Sequence, residues 1–309
     1  MKVLVLGSGA GGGFPQWNCN CPNCQKVRAG APNAKARSQS SLAVSVEDDH
    51  WFLLNASPDL RQQIFDNPAL HPKHGLRHSP IDGAFLTNAD VDHIGGLLTV
   101  RESQPLSINA TERVIGVINA NSVFNILNPE FVKRRPMALN SPTELKRADD
   151  GASGIVIEAF AVPGKIALYL EDESAGPNFG SVAEDTVGLK VTEKTTGKAF
   201  FYLPGCATVP ADLAEKVKGA ELLFFDGTTW TDDEMQSTGV GHKTGQRMGH
   251  MSMSGDDGSI AAFAPLDVKR KIYIHMNNTN PALLDDSEQR KTAETAGWEI
   301  GFDGMEVSL

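Results

Sequence analysis

The residues of this chain most able to do chemistry stand in two clusters far apart in sequence. The first is Cys19-Asn20-Cys21-Pro22-Asn23-Cys24, a C-x-C-x2-C run holding three of the four cysteines, the fourth being Cys206. Three thiolates this close can converge on one tetrahedral ion, with a fourth ligand from elsewhere. Disulfides are rare in a reducing compartment, so a structural Zn2+ outranks a disulfide framework for this clip. Spacing does not name the fourth ligand; Asn278 and the eight histidines are the candidates. The second cluster is the loop Asn88-Ala89-Asp90-Val91-Asp92-His93, which leaves a short apolar run. Carboxylate and imidazole at the end of a buried strand suit metal binding, or else pair with each other on a turn.

A third pattern is set aside. Gly7-Ser8-Gly9-Ala10-Gly11-Gly12 matches the dinucleotide fingerprint G-x-G-x-x-G directly after an apolar strand. That fingerprint needs a helix whose N-terminus faces the pyrophosphate. Gly13-Phe14-Pro15-Gln16-Trp17 follows instead and opens no amphipathic helix. A pliable turn leading into the cysteine clip is the expectation.

The elements that must position these groups read as alternating short strands and helices. Apolar runs predict strands at 3–6, 84–86, 155–162, 187–191, 199–203, 222–225 and 271–274. A hairpin is predicted from 42–46 and 51–54, around Glu47-Asp48-Asp49-His50. Helical spacing spans 112–127, a short helix is expected within 255–264, and Ser287 and Gly297 bracket another. The stretch 148–154 reads as a loop between two halves of the sheet system, so 1–309 is taken as one domain.

Bulk properties narrow the function. Hydrophobic residues make up 40% of the 309 and charged residues 21%, which suits a packed core. A formal net charge of −10 argues against nucleic acid as partner. No apolar run approaches the roughly 18 residues of a membrane span. The start, Met1 to Gly7, is too short for a secretion signal, so a buried first strand and a cytoplasmic location are expected.

In order along the chain, Phe52 to Asp59, the loop from Asn88 to Leu97, Ala161 to Lys165, Tyr202 to Cys206, Gly249 to Ser252 and Tyr273 to Pro281 resemble the landmarks of the metallo-β-lactamase superfamily. The resemblance covers nearly the whole chain. It implies an αββα sandwich of two mixed β-sheets flanked by helices. It also implies that the positions of the three first-metal histidines hold Asn88, Asp90 and Lys165. An ammonium repels a dication, so that first site is expected to hold no metal. The second site keeps Asp92, His93 and His275, while Cys206 takes the bridging aspartate's place, there to lend a thiolate or merely to pack. Two imidazoles and one carboxylate with open positions are the donor set of non-haem iron oxygenases.

Together, the cysteine clip, the Asn88–Leu97 loop, Gly241-His242, Gly249-His250 and His275-Met276-Asn277-Asn278-Thr279-Asn280-Pro281 are similar to a family acting in biosynthesis of the redox cofactor pyrroloquinoline quinone (PQQ). That similarity implies an Fe2+-dependent, O2-using hydroxylase of the tyrosine moiety of a Glu-Tyr-derived precursor, working beside other PQQ biosynthesis proteins. A carrier of PQQ or its precursor toward the periplasm and a metal-dependent hydrolase are the alternatives. By analogy His250 would act as general acid or base, Asp90 would add a second oxygen ligand or orient water, and Lys165 and Arg247 would hold substrate carboxylates, as would Lys269, whose default reading is surface solvation. His242 reads equally as a loop residue.

Overall fold

Alternation along the strands sets the layers. In the first strand Val3 and Val5 face one way and Leu4 and Leu6 the other, and all four are buried. A strand buried on both faces must lie between two layers. The computed structural model describes residues 1–176 and 178–309. Its first sheet holds β1 (Lys2–Gly7), β2 (Ser41–Glu47), β3 (His50–Leu54), β4 (Ile81–Phe85), β5 (Leu106–Ala110) and β6 (Val132–Pro136). The second holds β7 (Thr143–Lys146), β8 (Ala152–Ala161), β9 (Val187–Glu193), β10 (Ala199–Leu203), β11 (Leu223–Asp226), β12 (Lys271–Ile274) and β13 (Trp298–Ile300). The last strand, β14 (Glu306–Ser308), returns to the first sheet beside β1.

The strand orders are β14-β1-β2-β3-β4-β5-β6 and β13-β12-β11-β10-β9-β8-β7. Counted from β14 in the first sheet and from β7 in the second, three antiparallel pairings are followed by three parallel ones. Val3, Val5, Phe52, Leu54 and Phe85 of one sheet meet Ile155, Leu189, Phe200, Tyr202, Phe224 and Ile274 of the other in the central core. Leu4, Trp51 and Leu53 face outward into a second core shared with the helix residues Leu60, Val114, Ile115 and Ile118. Phe201, Phe225 and Tyr273 face outward onto Leu213, Phe263 and Ala293. The architecture is the expected αββα sandwich of two mixed sheets. No helix of the described residues is long and apolar enough to cross a membrane.

Three expectations need correction. The helix expected over 112–127 stops at Ala120, because Asn121 turns extended (φ −95°, ψ 104°) and a 3-10 turn, Ser122–Ile126, takes over. The loop expected over 148–154 is shorter, since β8 begins at Ala152 and Ala152 pairs with Lys146. The helix within 255–264 is only Ser259–Phe263, behind a turn at Gly255.

The topology decides where chemistry can happen. β4, β11 and β12 are parallel members of their sheets, and the loops leaving their carboxyl ends carry Asn88 to His93, Asp226 to Thr228, and His275. Open sheets with parallel strands bind ligands at that end.

Candidate metal centre

Short backbone links hold these loops together. Ala56 N–H donates to His93 O (2.7 Å) and Gly96 N–H to Ala56 O (2.8 Å). A Cβ on Gly96 would lie 2.1 Å from Ser57 O, so only glycine permits this approach. The glycine run at the N-terminus has a similar task. Ala10 N–H donates to Met276 O (2.8 Å) and Met276 N–H to Ser8 O (2.9 Å), bracing the loop that carries His275. Gly12 and Gly13 take φ of +91° and +68°, the pliable turn expected of them. His275 itself sits at φ +56°, left-handed backbone that costs a histidine on the order of 1 kcal/mol.

Asp92, His93 and His275 converge. His275 Nε2 lies 3.1 Å and His93 Nε2 3.8 Å from Asp92 Oδ2. An ion bound at about 2.1 Å would hold neighbouring ligand atoms roughly 3.0–3.4 Å apart, which this spacing approaches. His93 is 2% exposed, and its Nε2 has no hydrogen-bond partner among the described residues. A buried polar atom without a partner is costly, so its lone pair asks for a ligand, and a metal ion fits. Burial holds His93 down at about 4, leaving the imidazole neutral near pH 7. Burial would raise Asp92, but His93 and His275 outweigh it and keep its carboxyl well below the ordinary range.

Behind this trio stands Asp226, which sequence reasoning missed. It is fully buried and accepts from Cys206 N–H (3.0 Å), Thr228 N–H (3.0 Å), the Thr228 hydroxyl (2.6 Å) and His250 Nδ1 (2.5 Å). Asp226, His250 and His275 could also surround an ion. With four donors already on its two oxygens, Asp226 reads instead as an orienting carboxylate. It turns the His250 ring so that Nε2 is left without a protein partner. Thr228 Oγ1 in turn accepts from His275 Nδ1 (2.9 Å), which leaves His275 Nε2 bare toward Asp92. The available signal was a buried strand ending directly in Asp226-Gly227-Thr228.

Asn88, Asp90, Lys165, Lys243 and His250 line a cavity of about 290 Å3 with the trio. Burial and the Asp92 charge raise the Asp90 carboxyl, whose Oδ1 accepts from Leu168 N–H (3.1 Å). Lys165 does line this cavity, yet its ammonium is engaged by Glu171 Oε1 (2.8 Å). Arg247 grips the same carboxylate from two nitrogens (3.1 and 2.8 Å), and these contacts, Arg247 foremost, hold Glu171 down at about 2. Glu171 was not anticipated. Of the roles left open, two take the plainer alternative. Cys206 lends no thiolate: burial pushes its thiol up, and Sγ donates to Thr208 O (3.0 Å). Lys269 pairs with Asp267 beside Ala220, near the start of β12 and the opposite end of the sheet from His275. His242 does not line the cavity; its carbonyl accepts from Gln236.

The cysteine clip forms as a second, separate cluster. Cys19, Cys21 and Cys24 point their sulfurs together at the start of the helix Pro22–Arg28. The Asn278 amide lies 3.0, 3.6 and 3.4 Å from the three sulfurs. A half-turn of that amide presents Oδ1, so three thiolates and one oxygen make a tetrahedral set suited to Zn2+. Asn23 Nδ2 donates to the carbonyls of Asn278, Thr279 and Asn280 (3.1–3.2 Å), clamping the loop that also carries His275.

Buried Glu234 anchors the far side of this loop, accepting from Thr279 Oγ1 and Trp230 N–H (both 2.5 Å). Burial pushes its carboxyl up to about 7. A carboxyl raised in the folded state stabilises fully below its unfolded pKa near 4.5, and that contribution is lost as pH rises through 7. Glu234→Gln should therefore melt higher than wild type at pH 8, by about 1–3 kcal/mol, with the gap closing below pH 5. Equal melting of the two proteins at both pH values would contradict this.

Residues 50–276 match the family model described as the beta-lactamase superfamily domain. Among curated proteins, the chain is 52% identical to coenzyme PQQ synthesis protein B of Bradyrhizobium diazoefficiens over 310 aligned residues, covering 100% of both. It is also 52% identical to the protein of the same name from Gluconacetobacter diazotrophicus, covering 100% of this chain and 99% of that one. Among solved structures it matches Zn(2+)-bound PqqB from Methylobacterium extorquens with a TM-score of 0.94, 46% identity and full coverage of both chains.

Proposed function

Because the chain belongs to the family of coenzyme PQQ synthesis protein B, within the β-lactamase superfamily, it acts in PQQ biosynthesis, and we propose that its own step is a hydroxylation. The substrate is the tyrosine moiety of a Glu-Tyr-derived precursor, and the cofactor an Fe2+ held by Asp92, His93 and His275. One observation carries this reading: a buried trio of two imidazoles and one carboxylate, with an orphaned Nε2, at the wall of a cavity. The positions that would hold a second metal carry Asn88, Asp90 and a Glu171-bound Lys165 instead, which disfavours a two-metal hydrolase.

Bound iron would supply the activation of O2. The chain's own groups do the rest. His250 Nε2, turned by Asp226, accepts the phenolic proton. Lys165 lines the cavity and shares Glu171 with Arg247, so the pair of cations leaves net positive charge beside it for a substrate carboxylate, and Asp90 faces the same space. A ring C–H becomes C–OH with one oxygen atom of O2. The other leaves as water, consuming two protons and two electrons from an external reductant. The clip carries a structural Zn2+ on Cys19, Cys21, Cys24 and Asn278. The work is assigned to the cytoplasm, beside the other proteins of the pathway.

The test is anaerobic loading with Fe2+, then addition of O2, a reductant and Glu-Tyr peptide. A product heavier by one oxygen is expected. Peptide cleavage would favour a hydrolase, and binding of PQQ without any conversion of the peptide would favour a carrier; either would overturn the hydroxylase.

A further inference from the structure

Asn88 was read from sequence as a lost ligand, but its surroundings give it a positive task. It is 6% exposed, and its Oδ1 receives Asp90 N–H at 3.0 Å while standing 2.8 Å from His93 Nδ1. A backbone amide can only donate, so the side-chain atom facing it is the oxygen, and the two ends of the Asn88 amide are distinguished. An amide oxygen can only accept, so His93 Nδ1 must carry the proton. A neutral imidazole has one N–H, which makes Nε2 a bare lone pair. That atom is the orphan facing Asp92.

We propose that Asn88 is a positioning residue for the pocket metal: it selects the His93 tautomer whose lone pair points at the ion. The proposal rests on the assignment of Asp92, His93 and His275 as ligands. The two histidines are not held alike. His275 leans on Thr228, whose hydroxyl is itself backed by the Asp226 carboxylate, whereas His93 leans on a neutral amide that has no carboxylate behind it. An outer-shell partner of this kind normally sets metal affinity by 10- to 100-fold.

The experiment uses full-length protein with its clip zinc-loaded and titrates the pocket with Co2+ against a chelator. Asn88→Ala should weaken Co2+ binding by on the order of 10- to 100-fold, with clip zinc and melting temperature retained. Asn88→Asp keeps an oxygen for both N–H groups, so it should bind at least as tightly as wild type. Long-range 1H–15N spectra taken before Co2+ is added should show His93 protonated on Nδ1 in wild type and as a tautomer mixture in Asn88→Ala. Wild-type affinity in Asn88→Ala, equal weakening in both variants, or His93 protonated on Nε2 in wild type would each overturn the proposal. Co2+ binding that survives His275→Ala would refute the ligand assignment instead, and the spectra would still decide the tautomer.

Discussion

Alanine in place of Asp92, His93 or His275 is expected to abolish both pocket metal and oxygen-dependent turnover, while the zinc of the cysteine clip stays in place. Each of the three supplies one of only three protein donors, so the loss should exceed the 10- to 100-fold typical of outer-shell changes. Fold stability should survive. The trio sits on loops at the carboxyl ends of β4 and β12, outside the three apolar cores. Metal analysis of the purified variants, with activity measured alongside, checks this. Oxygen-dependent turnover at the wild-type rate by His275→Ala would refute the site. Loss of both metals together in all three variants would refute the independence of the two centres.

Serine at Cys19, Cys21 or Cys24 should behave differently. A structural zinc contributes folding free energy directly, so each change should cost several kcal/mol, a large part of a typical margin of about 5–15 kcal/mol. The damage should spread one way. Asn278 touches all three sulfurs and lies three residues after His275, on a loop that Asn23 clamps. Clip variants should therefore bind pocket metal more weakly, whereas pocket variants keep clip zinc. Thermal melting and zinc content report the outcome. A triple-serine protein with unchanged zinc and melting would sink the idea.

Much of this was legible because the signals are local. Short apolar runs named the hairpin β2–β3 and the buried strands to within a few residues, since burial on both faces acts on each strand by itself. The C-x-C-x2-C spacing sufficed for the clip, because three ligands on one short segment need little help from the fold to meet. Weaker elements escaped. β6 (sequence Val-Lys-Arg-Arg-Pro) carries little apolar alternation and β13 (Trp-Glu-Ile) is only three residues long, and each pairs with the edge that a neighbouring parallel strand offers.

The sequence by itself marked the cysteine clip and the Asp92-His93 segment as groups able to hold a metal, and its resemblance to the metallo-β-lactamase superfamily implied the αββα sandwich around them. It could also dismiss a nucleotide site, because a Gly-rich turn without a following helix lacks the means to hold a pyrophosphate. Only the tertiary structure decided what each polar residue does. Asp226 faces His250 across 24 positions, Thr228 faces His275 across 47 and Glu171 faces Arg247 across 76, and no spacing rule reaches that far. The same holds where a role was left open. Cys206 and Lys269 have side chains suited to a metal site or an anion, but one is sealed against Thr208 and the other lies at the wrong end of the sheet. Residue type states what a group can do. Burial and hydrogen-bond partners, set by contacts distant in the chain, determine which of those things it does.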